Sequence, residues 1–264
     1  MRFNLMPEIS SILDAPSDMV LHLVDALHLE DTLYPVTKLN DMDINVVIAI
    51  RNYRQFLDTG HSLDIRQLSR MLGMPVVISN AEDLGTDTEL IQTLVRISAE
   101  PYERKVSVPY GQDVEKAISK ISAAIHKGHE QWLHFSERYV AVRLLEHQDY
   151  IMPYVHSLPN SDEVLSVSRK AHDFLEKTFG EPSEILVARA RRGYVSGALQ
   201  ETVVVAVAAG SHLVGADHVD VMVEERVIDL CHFSRSCAID KDGIEHILLN
   251  DLVAQDLRRR LLGR

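Results

Sequence analysis

Two cysteines, Cys231 and Cys237, and a single tryptophan in 264 residues leave this chain without the material for a disulfide framework. A reduced, cytosolic compartment is expected. Positive charge is also scarce: 27 Lys and Arg stand against 39 Asp and Glu, a formal net charge of −12. Binding to DNA or RNA by counterion release needs a basic footprint, so nucleic acid is not an expected partner. Long apolar runs are missing too. The longest, Val203 to Ala209, has seven residues, whereas a membrane-spanning helix needs roughly 20. The first residues carry early acids and no continuous apolar stretch, which argues against a secretory signal. With 12 glycines, 9 prolines and no low-complexity tract, collagenous and disordered classes fall away as well.

What remains has order. Met19–Val24, Val46–Ile50 and Pro75–Ser79 are short, β-branched apolar runs about 28 residues apart, each reading as a buried strand. Segments with helical spacing lie around them, at Leu29–Leu39, Ile65–Leu72 and Thr88–Ile97. Strands alternating with helices imply right-handed parallel βαβ units. From Tyr110 the strand signal gives way to amphipathic helices. Val114, Ile118, Ile121 and Ile125 recur at three and four residues, and similar patterns occupy Tyr139–Leu145, Val164–Phe179 and Ile185–Val207, with breaks at Pro153, Pro159 and Gly180–Pro182. Val219–Leu230 and Ile244–Leu262 also carry helical spacing.

Several of these segments resemble one family. Ser17–Tyr34 (SDMVLHLVDALHLEDTLY) is similar to the stretch PDLVVNVVDATNLERNLY of the ferrous iron transporter B (FeoB) family, and Asp43–Ile50 with Leu63–Val77 resembles the later part of its GTPase domain. Tyr110-Gly111, Arg138–Glu146 and Ala188–Tyr194 resemble its helical guanine-nucleotide-dissociation-inhibitor domain, and Asp242–Asn250 the linker before its first membrane helix. The segments are collinear over residues 17–250. The resemblance implies an α/β fold: an incomplete Ras-like parallel half-sheet over residues 1–105, an all-helical subdomain over 106–207, and a helical tail over 208–264. It also implies a cytoplasmic role in ferrous iron uptake, peripheral to the inner membrane, with a second copy of the chain or a FeoB-type membrane protein as partner.

The same resemblance brings up GTP or GDP with Mg²⁺ as cofactors, and the residues speak against them. A phosphate loop of the form Gly-x-x-x-x-Gly-Lys-Ser/Thr supplies the backbone N–H groups, the lysine and the hydroxyl that neutralise a triphosphate. None precedes Ser17. The family's guanine-reading Asn-x-x-Asp falls on Arg51-Asn-Tyr-Arg54, and an arginine offers only donors to a base edge whose own donors need an acceptor. A last nucleotide-contacting turn would be Ser79-Asn80-Ala81. No cofactor and no GTP hydrolysis are expected, which leaves a regulatory or scaffolding role. The alternatives are a GTP-binding protein completed by strands from another polypeptide, and a truncated remnant of a full-length transporter.

The remaining constellations are weaker. Gly210–Gly215 has the glycine spacing of a phosphate loop, but Ala216 and Asp217 stand where the lysine and the hydroxyl belong. His126, His129 and His134, and the set Cys231, His232 and Cys237, read as solvated or idle side chains rather than metal ligands. The sheet itself carries one more expectation. The strand at Met19–Val24 should present an open edge, to be covered by residues 1–16, by residues 201–264, or by another chain.

Overall fold

The computed structural model describes residues 19–79, 87–100, 106–128, 136–205, 237–239 and 245–249. Three parallel strands form at the expected places: β1 (Met19–Asp25), β2 (Asn45–Arg51) and, after a short strand β3 (His61–Leu63) that lies outside this sheet, β4 (Val76–Ile78). β1 runs alongside β2 from Met19 opposite Asn45 to Asp25 opposite Arg51. β2 continues onto β4, with Ile48 opposite Val76. Side chains alternate across such a sheet, and the two faces bury different sets. Val20, Val24, Val46, Ile48 and Ile50 join the main core, whereas Leu21, Leu23, Val47 and Ala49 pack with Leu90, Ile91 and Leu94.

The crossovers are α1 (Leu29–Met42) between β1 and β2, and α2 (Tyr53–Asp58) with α3 (Ile65–Leu72) between β2 and β4; α4 (Thr88–Ala99) follows the last parallel strand. Asp64 and Asp87 cap α3 and α4 by accepting the N–H groups of Gln67 and Leu90. At the end of α3, Gly73 has φ +65, and a Cβ there would come within 2.8 Å of Val106 Cβ, so the close approach requires glycine.

Helices α5 (Gln112–Lys127), α6 (Glu137–Leu145), α7 (Met152–Ser157), α8 (Ser161–Phe179) and α9 (Ser183–Thr202) form the helical part. One continuous core runs from Val20 of β1 to Ala198 of α9. It crosses the expected boundary near residue 105, because α9 lies against α1 and α3; the Tyr194 hydroxyl donates to the Met71 carbonyl at 2.5 Å.

Two differences from the sequence pattern matter. The helix expected over Ile185–Val207 ends at Thr202, and Val203–Val205 form β5, antiparallel to β3 with Leu63 opposite Val203. The helix expected over Ile244–Leu262 is replaced at its start by strand β7 (Glu245–Leu249), which pairs with β6 (Cys237–Ile239) and lies antiparallel along β1. The tail over 208–264 is therefore not wholly helical, and the sheet has the order β4-β2-β1-β7-β6. A short apolar run such as His246–Leu249 fits either period, and the unpaired edge of β1 decides for strand. Val219–Leu230 and the rest of Ile244–Leu262 lie outside the described residues. No helix among those described is long and apolar enough to cross a membrane.

Candidate functional site

In an open parallel sheet, ligands gather at the carboxyl ends of the strands, and here those ends bring part of the expected set together. Arg51 closes β2 directly opposite Asp25 of β1. Ser79 follows β4 and is buried; its N–H donates to the carbonyl of Ile50 at 2.8 Å, and its hydroxyl has no hydrogen-bond partner among the described residues. Arg54 is exposed in the first turn of α2. Asn80 and Ala81 lie outside the described residues.

The residue that ties this edge together was not singled out by its sequence pattern. Asn52, at φ +58, adopts the left-handed conformation that asparagine tolerates better than most side chains. Its side-chain amide donates to Asp25 Oδ1 at 3.0 Å, joining the ends of β1 and β2. Asp25 also accepts the N–H of Leu27 and meets His28 Nδ1 at 3.1 Å. Burial alone would raise the Asp25 carboxyl, but Leu27, Asn52 and His28 outweigh it and hold the group below its ordinary value. The nearest carboxylate is thus already engaged, and Arg51 and Arg54 add donors rather than acceptors. An Asn placed just before a helix, with an Asp closing the neighbouring strand, was the available signal.

A second cluster lies between the sheet's flanking helix and the helical part. Asp41 of α1 accepts from the Tyr110 hydroxyl at 2.6 Å and from Arg191 Nη2 at 2.7 Å. Arg143 lies 3.8 Å from the same carboxylate, and Arg138 Nε lies 3.6 Å from its other oxygen. Glu146 completes the group, 2.6 Å from Arg143 and 3.7 Å from Arg191. The Arg138 and Arg191 guanidiniums both contact the Tyr110 ring, at 5.3 and 5.6 Å from its centroid. Arg191 is fully buried and Arg143 nearly so. Burial leaves the Asp41 carboxyl above its ordinary value despite the pull of Arg191 and Arg143. For Glu146, burial is outweighed by Arg143 and Arg191, and the carboxyl stays low. Burial also pushes the Tyr110 phenol far up, so it remains a neutral donor. The three helical segments on which the family resemblance rests, around Tyr110, Arg138–Glu146 and Arg191, converge on this one aspartate.

The histidines divide in a similar way. His126 meets Glu137 at 2.7 Å, while His129 and His134 lie outside the described residues, as do Cys231, His232 and Gly210–Asp217. Among the described residues no group of three ligand-type side chains could hold a metal.

His147 and His172 stack at 3.9 Å between ring centroids, held by Glu184 and by the Ser183 hydroxyl respectively. Burial, then the charge of His147, lowers the His172 imidazole below the ordinary 6.5, against the opposing pull of the Leu144 carbonyl, Glu184 and Asp173. The unfolded chain therefore binds more protons than the folded one between the folded value and 6.5, so stability should fall as pH drops through that window. Thermal melts between about pH 7.5 and 5.5 should show a declining melting temperature, with a shallower slope in His172→Gln. An unchanged slope in that variant would remove His172 as the source.

A parallel β4-β2-β1 sheet with a strand-end turn, followed by the helices α5 to α9, defines a two-part module of α/β and helical halves, and comparison with known proteins gives its family. Residues 8–94 match the family model described as ferrous iron transport protein B, and residues 110–204 match the FeoB cytosolic helical domain. The chain belongs to the FeoB family. It is 30% identical over 189 residues to a fusion of Fe(2+) transport protein A with the Fe(2+) transporter FeoB from Porphyromonas gingivalis, a match covering 70% of this chain and 22% of that protein. The fold is shared with the apo cytosolic domain of T. maritima FeoB (TM-score 0.55, 22% identity, 74% of this chain and 71% of that one). It is also shared with a GDP-bound point mutant of the S. thermophilus FeoB G-domain (TM-score 0.65, 22% identity, 77% and 78%). A GMPPNP-bound mutant of the S. thermophilus protein is similar as well (TM-score 0.63, 25% identity, 72% of each chain).

Proposed function

We propose that this chain is a cytoplasmic regulatory or scaffolding component of ferrous iron uptake that works without hydrolysing GTP. The observation that carries the reading is the strand-end site. At the two positions where the family reads guanine stand Arg51 and Arg54, and the adjacent carboxylate of Asp25 is engaged by Asn52, Leu27 and His28. A guanine edge presents N1 and N2 protons that need an acceptor, so the donor set does not fit the base. Without the base as an anchor, the module's remaining asset is its rigid coupling of sheet to helical part through Asp41, which suits a partner of a membrane transporter.

The reading of a GTP-binding protein completed by strands of another polypeptide is less favoured. The edge of β1 where such strands would add is paired with β7 of the same chain. The test is uptake of radioactive ferrous iron by cells lacking this chain. Uptake should change on its loss and return equally with the wild-type chain and with a variant whose Ser79 is replaced by alanine. Uptake indifferent to the chain would overturn the role.

A further inference from the structure

Helices α5 and α8 enclose a groove of about 440 Å³ that no feature of the site above uses. Its α5 wall runs from Asp113 to Lys127, about 21 Å at the rise of an α-helix. Its floor is made of small side chains, Ala117, Ala124 and Ala171, so the backbone of a third helix could approach closely. At one end Phe174 stands half exposed. The Lys127–Glu163 ion pair and the Asn160 amide on the Ala124 carbonyl join the end of α5 to the start of α8, which sets the helices antiparallel.

That geometry puts Lys120 and Lys170 across from one another at mid-groove. Of the four lysines lining it, Lys116 is paired with Asp113 and Lys127 with Glu163, whereas Lys120 and Lys170 form no ion pair among the described residues. Two uncompensated cations facing each other over an apolar floor, on a chain whose net charge is −12, are a local reversal of the protein's overall sign. A long concave slot between helices fits a helix better than it fits a flat bilayer.

We propose that the α5–α8 groove is the docking site of an amphipathic helix of a partner protein, about four turns long, with an apolar stripe flanked by Asp or Glu. The stripe would cover Phe174 and the alanine floor, and the acids would reach Lys120 and Lys170.

The probe is a fluorescent peptide of about 15 residues with leucines on one helical face and glutamates beside them, titrated into the full chain and followed by anisotropy. Saturable binding that weakens with salt is expected, together with a loss of about tenfold or more in Lys120→Glu/Lys170→Glu, whose melting temperature should be unchanged. Lys177→Glu, on α8 but outside the groove, should bind as the wild type does. Four results with the unaltered chain or the variants above would each overturn the proposal, and a fifth comes from altering the chain's own acids. The four are absence of saturable binding, equal loss in the Lys177 variant, equal binding of a lysine-for-glutamate peptide, and preferential capture of the chain by phosphatidylglycerol vesicles with no peptide binding. Peptide binding that emerges only when the acids between Asp217 and Asp229 are neutralised would assign the groove to the chain's own segment, and would overturn the partner.

Discussion

Replacing Asp41 by alanine should destabilise the protein by about 3–5 kcal/mol, the range for removing one partner of a buried ion pair. The reason lies in what is left behind. Tyr110 and Arg191 lose the carboxylate they both donate to, Arg143 and Arg138 lose a nearby charge, and Glu146 remains as the one anion for two buried guanidiniums. Substituting both sides at once tests the mechanism, because well-packed apolar residues often replace buried ion pairs at little cost. Asp41→Leu combined with Arg191→Met should therefore cost less than the sum of the single changes, and denaturant titration of the four proteins gives the coupling. Additive losses, or a single loss below about 1 kcal/mol, would mean that the cluster does not hold the sheet to the helical part.

The second large effect concerns the sheet edge. Along β1, Met19 to His22 face Leu249 to His246 of β7, and β7 is itself flanked by β6. Ile247 sits opposite Leu21 on one side and Cys237 on the other. Proline there removes an N–H and cannot fit a central strand. Ile247→Pro should strip β7 from the sheet and leave β1, which is buried from Met19 to Val24, with an unpaired row of backbone groups. Alternate amides of β1 point to β2 and to β7. Hydrogen exchange should therefore speed up, by about tenfold or more, at every second β1 amide only, and the variant should self-associate as concentration rises. Fast exchange along the whole of β1 in the wild-type monomer would show that the edge is not covered.

Much of this architecture is legible in the chain. The runs at Met19–Val24 and Val46–Ile50 are strands because they are apolar, β-branched and too short for helices, and Ile65–Leu72 is a helix with an aspartate cap before it and a glycine after it. The need to cover β1 was also readable, since a buried strand with one missing neighbour must find another. Which segment covers it was not, because His246–Leu249 has no period of its own. The pairing of His61–Leu63 with Val203–Val205 was hidden for the same reason: three residues cannot announce a partner far along the chain. At the strand ends, Arg51 and Arg54 could be placed by resemblance, while Asn52 lay between them unremarked because its role depends on a backbone angle. Asp41 was invisible for a different reason. Its partner Arg191 is 150 residues away, and charge pairing over that separation leaves no local pattern.

The account rests on the strand-end site being unable to hold a guanine base, and calorimetric titration of the full chain with GDP and with GMPPNP, each in the presence of Mg²⁺, tests it most directly. The account predicts no saturable heat up to roughly 1 mM nucleotide, a concentration at which even a binding free energy of about −4 kcal/mol would register. Saturable binding at micromolar nucleotide, lost when Ser79 or Arg51 is replaced by alanine, would contradict it.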